Sequence, residues 1–397
     1  MFLRLRTNAP WATPVGRRPG VARWGRVGKG QAGKGKVERC LWVGAALLLA
    51  GCGAGDGPGV RGLGDSNDPG QASALQLPIV VGEQQQWDRS LPNYRPVAGI
   101  DGGLKTVGSD TMSNLLTLWG EGFARHYPNV QLGIEESGSN TAPPALIEGT
   151  ANLGPMSRRM QPAEVEAFVE RFGYEPTALA VAIDCLTIFV HKDNPLARRG
   201  LVLDEVDSLF SRTRRGGKGP IHTWGDLGLV GAWSNKPISL YGRTSSSGTY
   251  ALFKRTALFG GDFKETVKEQ PGSSAVVSGV ARDKLSIGYS GVGYLTADVA
   301  PVPLRRVADR AYYLPSAANA YEGHYPLARY LWVYINRKPN SEVDPLQREF
   351  LRFIYSSEGQ AQVREAGYLP VTAAVAERQL EQLGLSLEAG RAGEGGR

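Results

Sequence analysis

The stretch that most constrains what this chain can fold into is Gly242-Arg243-Thr244-Ser245-Ser246-Ser247-Gly248-Thr249-Tyr250. It follows a strand-like segment, 237–241, and runs directly into a helical pattern over 251–259. Strand, hydroxyl-rich turn and helix in that order gather small hydroxyl donors and unpaired backbone N–H groups at the positive end of a helix, where an anion is stabilised. Arg243 adds a planar fork of donors that matches a tetrahedral oxyanion. Ser and Thr are also the commonest helix caps, so one such turn reads equally well as an ordinary cap. Recurrence of the same grammar elsewhere separates the two readings.

It recurs in the first half of the body. A strand over 103–108 leads through Ser109-Asp110-Thr111 into a helix over 112–127 with Leu115, Leu116, Leu118, Trp119 and Phe123 as its apolar stripe. Pro128-Asn129 breaks that helix, a strand follows over 130–134, and Glu136-Ser137-Gly138-Ser139-Asn140-Thr141 leads to Pro143-Pro144 at the next helix start. A strand over 151–154 then ends in Met156-Ser157-Arg158-Arg159 before a helix over 162–172. Repeated β-turn-α units predict an α/β fold with mainly parallel sheets and ligand sites at the carboxyl ends of the strands.

The apolar run 179–190 is too long for one average strand and reads as two strands or as one crossing between lobes, and the second long apolar strand, 325–336, makes a natural return crossing. Between them the pattern gives helices over 203–210, 250–259 and 275–282, strands over 237–241 and 286–289, and a solvated basic loop over 212–218. A last helix is expected over 345–366. The predicted architecture is two-lobed, like a periplasmic binding protein: residues 101–183 with 328–385 form lobe 1, and 184–327 form lobe 2. Two crossings make it hinged, with a cleft between the lobes.

The basic pI near 9.2 points first to nucleic acid, but the charge is not evenly spread. Residues 1–39 hold ten Lys/Arg against Glu38; subtracting that +9 from the whole-chain +7 leaves −2 for the rest. No nucleic-acid partner is therefore expected. Cys40 opens an apolar h-region too short to span a bilayer, which ends in Leu49-Ala50-Gly51-Cys52 and resembles the bacterial lipobox. Residues 1–51 read as a signal segment, with translation starting near residue 37, and Cys52 as the lipidated first residue of the mature protein. The Gly/Pro/Asp/Ser-rich stretch 52–96 reads as a flexible tether and 386–397 as a disordered tail. The G-x-G-x-x-G matches at 28–33 and 57–62 neither follow a strand nor open a helix and carry no meaning. Cys185, the one cysteine left in the body, sits in an apolar run and reads as a buried, inert thiol.

Three turns thus share one chemistry: Ser109-Asp110-Thr111, Ser139 with Asn140 and Thr141, and Arg243 with Ser247-Gly248-Thr249. In this order, and with Gly149-Thr-Ala-Asn-Leu-Gly154, Ser157-Arg158, Ser286-Ile-Gly-Tyr289 and Tyr325-Pro-Leu-Ala-Arg329, the chain resembles the PstS family, the phosphate-binding component of the bacterial ABC phosphate importer. The resemblance runs from about Leu104 to Pro370. It implies that Ser109, Asp110 and Thr111 form the first phosphate loop and Ser139 the second, that Ser157 lies beside them, that Arg243 is the charged clamp, and that Ser247, Gly248 and Thr249 donate from lobe 2. Two positions depart from the family pattern. Ser157 stands where the family often has an acid that accepts the proton of bound phosphate, and Ser245 replaces a second acid two positions after the clamp. Either Asp110 takes over the acceptor role, or Arg158 makes the site more positive.

The function implied is an exported, lipid-anchored receptor, facing the periplasm or cell exterior, that captures inorganic phosphate and delivers it to the permease and ATPase subunits of an importer. It is expected to work as a monomer held to the membrane by its N-terminal lipid alone, without cofactor or metal. The alternatives are a receptor for sulfate or molybdate and a non-transport surface or sensing lipoprotein. A hydrolase built on Ser246 or Ser247 lacks any G-x-S-x-G, H-E-x-x-H, Walker or Cys/His signature, and His126, His191, His222 and His324 are scattered.

Overall fold

The structure, a computed structural model, describes residues 79–80 and 91–386. The expected signal segment, its start near residue 37, Cys52, nearly all of the tether and the tail from 387 on lie outside the described residues.

The body begins with a parallel βαβ unit. Strand β1 (Gly102–Gly108) pairs in register with β2 (Val130–Glu136) from Gly102↔Val130 to Gly108↔Glu136. Helix α1 (Ser113–His126) connects them and buries Leu115, Leu116, Trp119 and Phe123 on one face while Thr117 and Glu121 stay in solvent. Trp119 is fully buried, yet its indole N–H donates to the Gly359 carbonyl at 2.9 Å, so its polar edge is not left unpaired.

The second sheet is mixed, not mainly parallel as the β-turn-α repeat predicts. Its backbone is β3 (Thr177–His191), a single fifteen-residue strand almost wholly buried along its length. The first part of β3 pairs antiparallel with β4 (Ala328–Ile335), from Thr177↔Ile335 to Cys185↔Ala328. From Leu186↔Gly291 to Val190↔Ile287 the same strand pairs antiparallel with β5 (Ser286–Gly291). Strand β6 (Ser239–Arg243) adds to β5 in parallel, and β7 (Val267–Gln270) adds to β6 in parallel. The parallel runs the sequence predicts are present in each half, and the two crossing strands that join the halves supply the antiparallel part. The apolar run at 179–190 is thus one strand passing from one lobe to the other.

Side-chain packing divides along β3. One core gathers Trp119, Phe123, Leu179, Val181, Ala182, Leu331, Val333 and Phe350. Another gathers Ile183, Cys185, Leu186, Ile188, Phe210, Trp224, Phe253, Tyr289 and Leu327. Cys185 is free, fully buried, and burial pushes its thiol pKa up.

Two predicted spans change. The helix expected over 345–366 is two, Pro345–Ile354 and Ser357–Glu365, because the Ser356 hydroxyl accepts the Gly359 N–H at 3.2 Å and starts a new helix there. A further helix follows at Ala373–Glu381. The last residues of the expected tether also belong to the body. Leu91 and Tyr94 are buried in the first core, where the Tyr94 hydroxyl meets Tyr127 Oη at 2.8 Å and Glu349 Oε2 at 3.0 Å.

Candidate functional site

Each predicted turn sits where a strand gives way to helical backbone, and the structure brings them to one place between the lobes. Ser109 leaves β1, and Asp110 and Thr111 make a 3₁₀ turn that feeds α1. Ser139 opens a second 3₁₀ turn ahead of helix Ala142–Glu148, entered through Gly138 at φ +93°. Ser157 follows the short strand Gly154–Met156. From the other lobe, Arg243 ends β6 and Ser247 caps helix Gly248–Thr256, its hydroxyl accepting the Thr249 N–H at 3.1 Å. Ser109, Thr111, Ser139, Ser157, Arg243, Ser247 and Thr249 are all essentially buried, and Asp110 nearly so.

Contacts across the cleft are direct. Arg243 Nη2 lies 2.7 Å from Asp110 Oδ1, and the Thr111 and Thr249 hydroxyl oxygens are 3.0 Å apart. A Cβ added at Gly248 would come within 2.5 Å of both Ser139 Oγ and Ser157 Oγ, so only glycine lets the capped helix of one lobe approach the serines of the other. At the rim, Asn140 donates its backbone N–H to the Ser246 carbonyl at 3.3 Å and its side-chain amide to the Ser245 carbonyl at 3.2 Å. Ser157 and Ser139 pair, with the Ser157 N–H donating to Ser139 Oγ at 3.0 Å and the two hydroxyl oxygens 3.2 Å apart.

Arg243 is the cation of this cluster. Its backbone N–H donates to Tyr289 Oη at 3.3 Å, and that ring stacks on Phe253 at 3.8 Å, which fixes the end of β6. Its guanidinium donates to Ser273 Oγ at 2.9 Å and to the Pro271 carbonyl at 3.1 Å. Ser273 Oγ in turn lies 3.3 Å from Asp110 Oδ2. Two buried polar atoms here have no hydrogen-bond partner: Ser109 Oγ and Arg243 Nε. Leaving such groups unpaired is costly, and a bound oxyanion or its proton would satisfy them.

Arg158 does not add charge to the cluster, against the sequence expectation. Its guanidinium is tied to Glu164 at 2.6 Å and donates to Asn140 Oδ1 at 2.6 Å, so it faces the rim and holds the Asn140 amide in place.

Sequence reasoning missed a second layer. Asp184 on β3 and Arg329 on β4 form a buried pair, with Arg329 Nε and Nη2 2.9 and 2.7 Å from Asp184 Oδ2. Arg329 also donates to the Ser157 carbonyl and to Thr249 Oγ1, both at 2.8 Å. Tyr294 Oη donates to the Asp110 carbonyl at 2.8 Å, and Tyr368 Oη donates to the Thr111 carbonyl. Burial pushes the Tyr294 hydroxyl well above its ordinary pKa, and the neighbouring Asp110 and Glu136 push it further, so it remains a donor. The available signal was a charged residue inside each apolar run, since buried charges need partners.

With this geometry in hand, residues 91–358 match the PBP superfamily domain. The chain is 51% identical over 299 residues to the phosphate-binding protein PstS of Pseudomonas aeruginosa, covering 75% of this chain and 92% of that one. Its fold is similar to a phosphate ABC transporter substrate-binding protein of Clostridium perfringens solved with bound phosphate, at a TM-score of 0.58 and 22% identity over 68% of this chain and all of that one. An ABC-type phosphate transport receptor of Vibrio cholerae aligns with a TM-score of 0.51 and 20% identity, over 68% of this chain and 100% of that one. The chain therefore belongs to the PBP superfamily and, within it, to the PstS family of substrate-binding proteins.

Proposed function

We propose that this protein captures inorganic phosphate between its two lobes and delivers it to the permease and ATPase of an ABC importer. The observation that carries the reading is the buried Arg243–Asp110 pair, ringed by Ser109, Thr111, Ser139, Ser157, Ser247, Gly248 and Thr249 from both lobes. With the guanidinium matched by a carboxylate and Arg158 matched by Glu164, the anion is held mainly by neutral donors and helix N-termini. An ionised carboxylate only accepts hydrogen bonds. Asp110 can therefore take the proton that phosphate carries, while fully ionised sulfate brings no proton and meets Asp110 as a like charge. The two family departures at Ser157 and Ser245 then leave selection to Asp110.

Export, lipid anchoring through Cys52, attachment to the membrane by that lipid alone and a monomeric receptor complete the proposed arrangement. It is supported by the lipobox-like Leu49-Ala-Gly-Cys52 and by relatives named as ABC-transporter binding proteins. The reading is tested by calorimetric titration of the folded body with phosphate, sulfate and molybdate at pH 5.5 and 8. Tight phosphate binding with weak sulfate binding at both pH values is expected. Preference for sulfate or molybdate would move the substrate while keeping the site, and no heat with any anion would overturn the reading.

A further inference from the structure

We infer that Arg329 is a positioning residue that forces a hydroxyl proton of the Thr111–Thr249 pair toward the bound anion. The inference rests on the phosphate reading above and assigns a role to a side chain behind the site. Arg329 lies on one crossing strand and is held by Asp184 on the other. It is 9% exposed and Asp184 is 0% exposed, and Asp184 Oδ1 is used in turn by the Val292 N–H at 3.2 Å. From that anchored position its guanidinium reaches a site turn in each lobe, the Ser157 carbonyl in one and Thr249 Oγ1 in the other.

A threonine hydroxyl has one proton to give and two lone pairs to accept with, whereas guanidinium only donates. Thr249 Oγ1 accepts from Arg329, and it shares one further hydrogen bond with Thr111 Oγ1. If Thr249 supplies the proton of that shared bond, the Thr111 proton is free; if Thr111 supplies it, the Thr249 proton is free. One proton of the pair is left in either case. A donor-only group behind Thr249 cannot absorb it, so it points into the cleft, where an oxyanion accepts it. Asp184 makes the requirement sharp: without Arg329 in between, a buried carboxylate would compete for the same hydroxyl. Because Arg329 touches Ser157 and Thr249 together, this donor arrangement exists only when the lobes are closed.

The test is phosphate titration of the body by calorimetry, with thermal melting to confirm folding. Thr249→Val alone is expected to weaken binding about tenfold, the size of one hydrogen bond to a charged partner. Arg329→Met combined with Asp184→Asn, which avoids a stranded charge, is expected to weaken it about tenfold to a hundredfold. Adding Thr249→Val to that pair should then cost little more, because the proton it removes is no longer aimed. Where the double variant does not fold, Arg329→Lys and Arg329→Gln are compared. Lysine only donates and is expected to keep most of the affinity. Glutamine offers a carbonyl that draws the Thr249 proton backward and is expected to bind about tenfold more weakly than lysine. Fully multiplicative costs, or equal affinity of the lysine and glutamine variants, would overturn the inference while wild-type binding upheld the phosphate reading. A wild-type protein that bound no phosphate would overturn both.

Discussion

At the scale of single residues, Arg243 carries the largest weight because it is the one guanidinium in the cluster that faces a carboxylate across the cleft. Arg243→Ala is expected to weaken phosphate binding by about 2–4 kcal/mol, as for truncating one partner of a desolvated charge pair. Asp110 would be left without its partner, so the variant should also melt at a lower temperature while keeping its fold. Titration calorimetry and a thermal melt on the same preparation check both outcomes, and unchanged affinity would remove Arg243 from the site. The hydroxyl-bearing turns were legible in the sequence because a cap and a Gly-Ser-Thr loop are local signals, set by residues within a few positions of one another. Arg329 and Asp184 were not, since they are far apart in the chain and only the pairing of β3 with β4 brings them together. Arg158 was misread for a related reason. Its direction is decided by Glu164, and charge count alone does not say which way a side chain points.

At the scale of elements, helix Leu203–Phe210 shows how a buried acid is kept charged. Glu205 accepts the Val202 N–H at 3.0 Å at the helix start and pairs with Arg199 at 2.7 Å. Burial alone would raise its pKa, but the bonds from Arg199 and Val202 and the charge of Lys218 outweigh burial and hold it below the usual value. A carboxyl depressed in the folded state contributes stability above its unfolded pKa of about 4.3, and that contribution is lost as pH falls through the lower folded value. Glu205→Gln is therefore expected to melt lower than wild type at pH 7, with the gap closing as pH falls below about 4. Parallel melts from pH 3 to 7 measure the gap, and a constant difference would mean that Glu205 acts by shape alone. Elements were otherwise legible where periodicity was strong, as in α1. They were misjudged where a single hydroxyl decides a boundary, as Ser356 does between the last helices. The antiparallel pairing of β3 was beyond local pattern, because a fully buried strand reads the same in either direction.

At the scale of the whole molecule, closure is where most of the site is made, since Asp110–Arg243, Thr111–Thr249 and Asn140–Ser246 all join one lobe to the other. Gly248→Ala tests this without removing any donor. Its Cβ would come within 2.5 Å of Ser139 Oγ and Ser157 Oγ, which are hydrogen-bonded to each other, and would lie 3.1 Å from Ser139 Cβ. The variant should fold normally, bind phosphate at least about tenfold more weakly, and stay expanded in small-angle scattering at phosphate concentrations that compact the wild type. Equal compaction of the two would show that the approach at Gly248 is not what closure needs.

The single strand that serves both lobes sets how such a molecule yields under load. A joint made of loose loops would open by letting go of its bonds, whereas β3 changes pairing partner between Cys185 and Leu186 and keeps a neighbour on either side of that point. Bending there resembles the flexing of a leaf spring: curvature is shared along a ribbon that stays intact, and the ribbon pushes back. Opening there gives up the contacts across the cleft and leaves the pairing of the strand that carries both lobes in place.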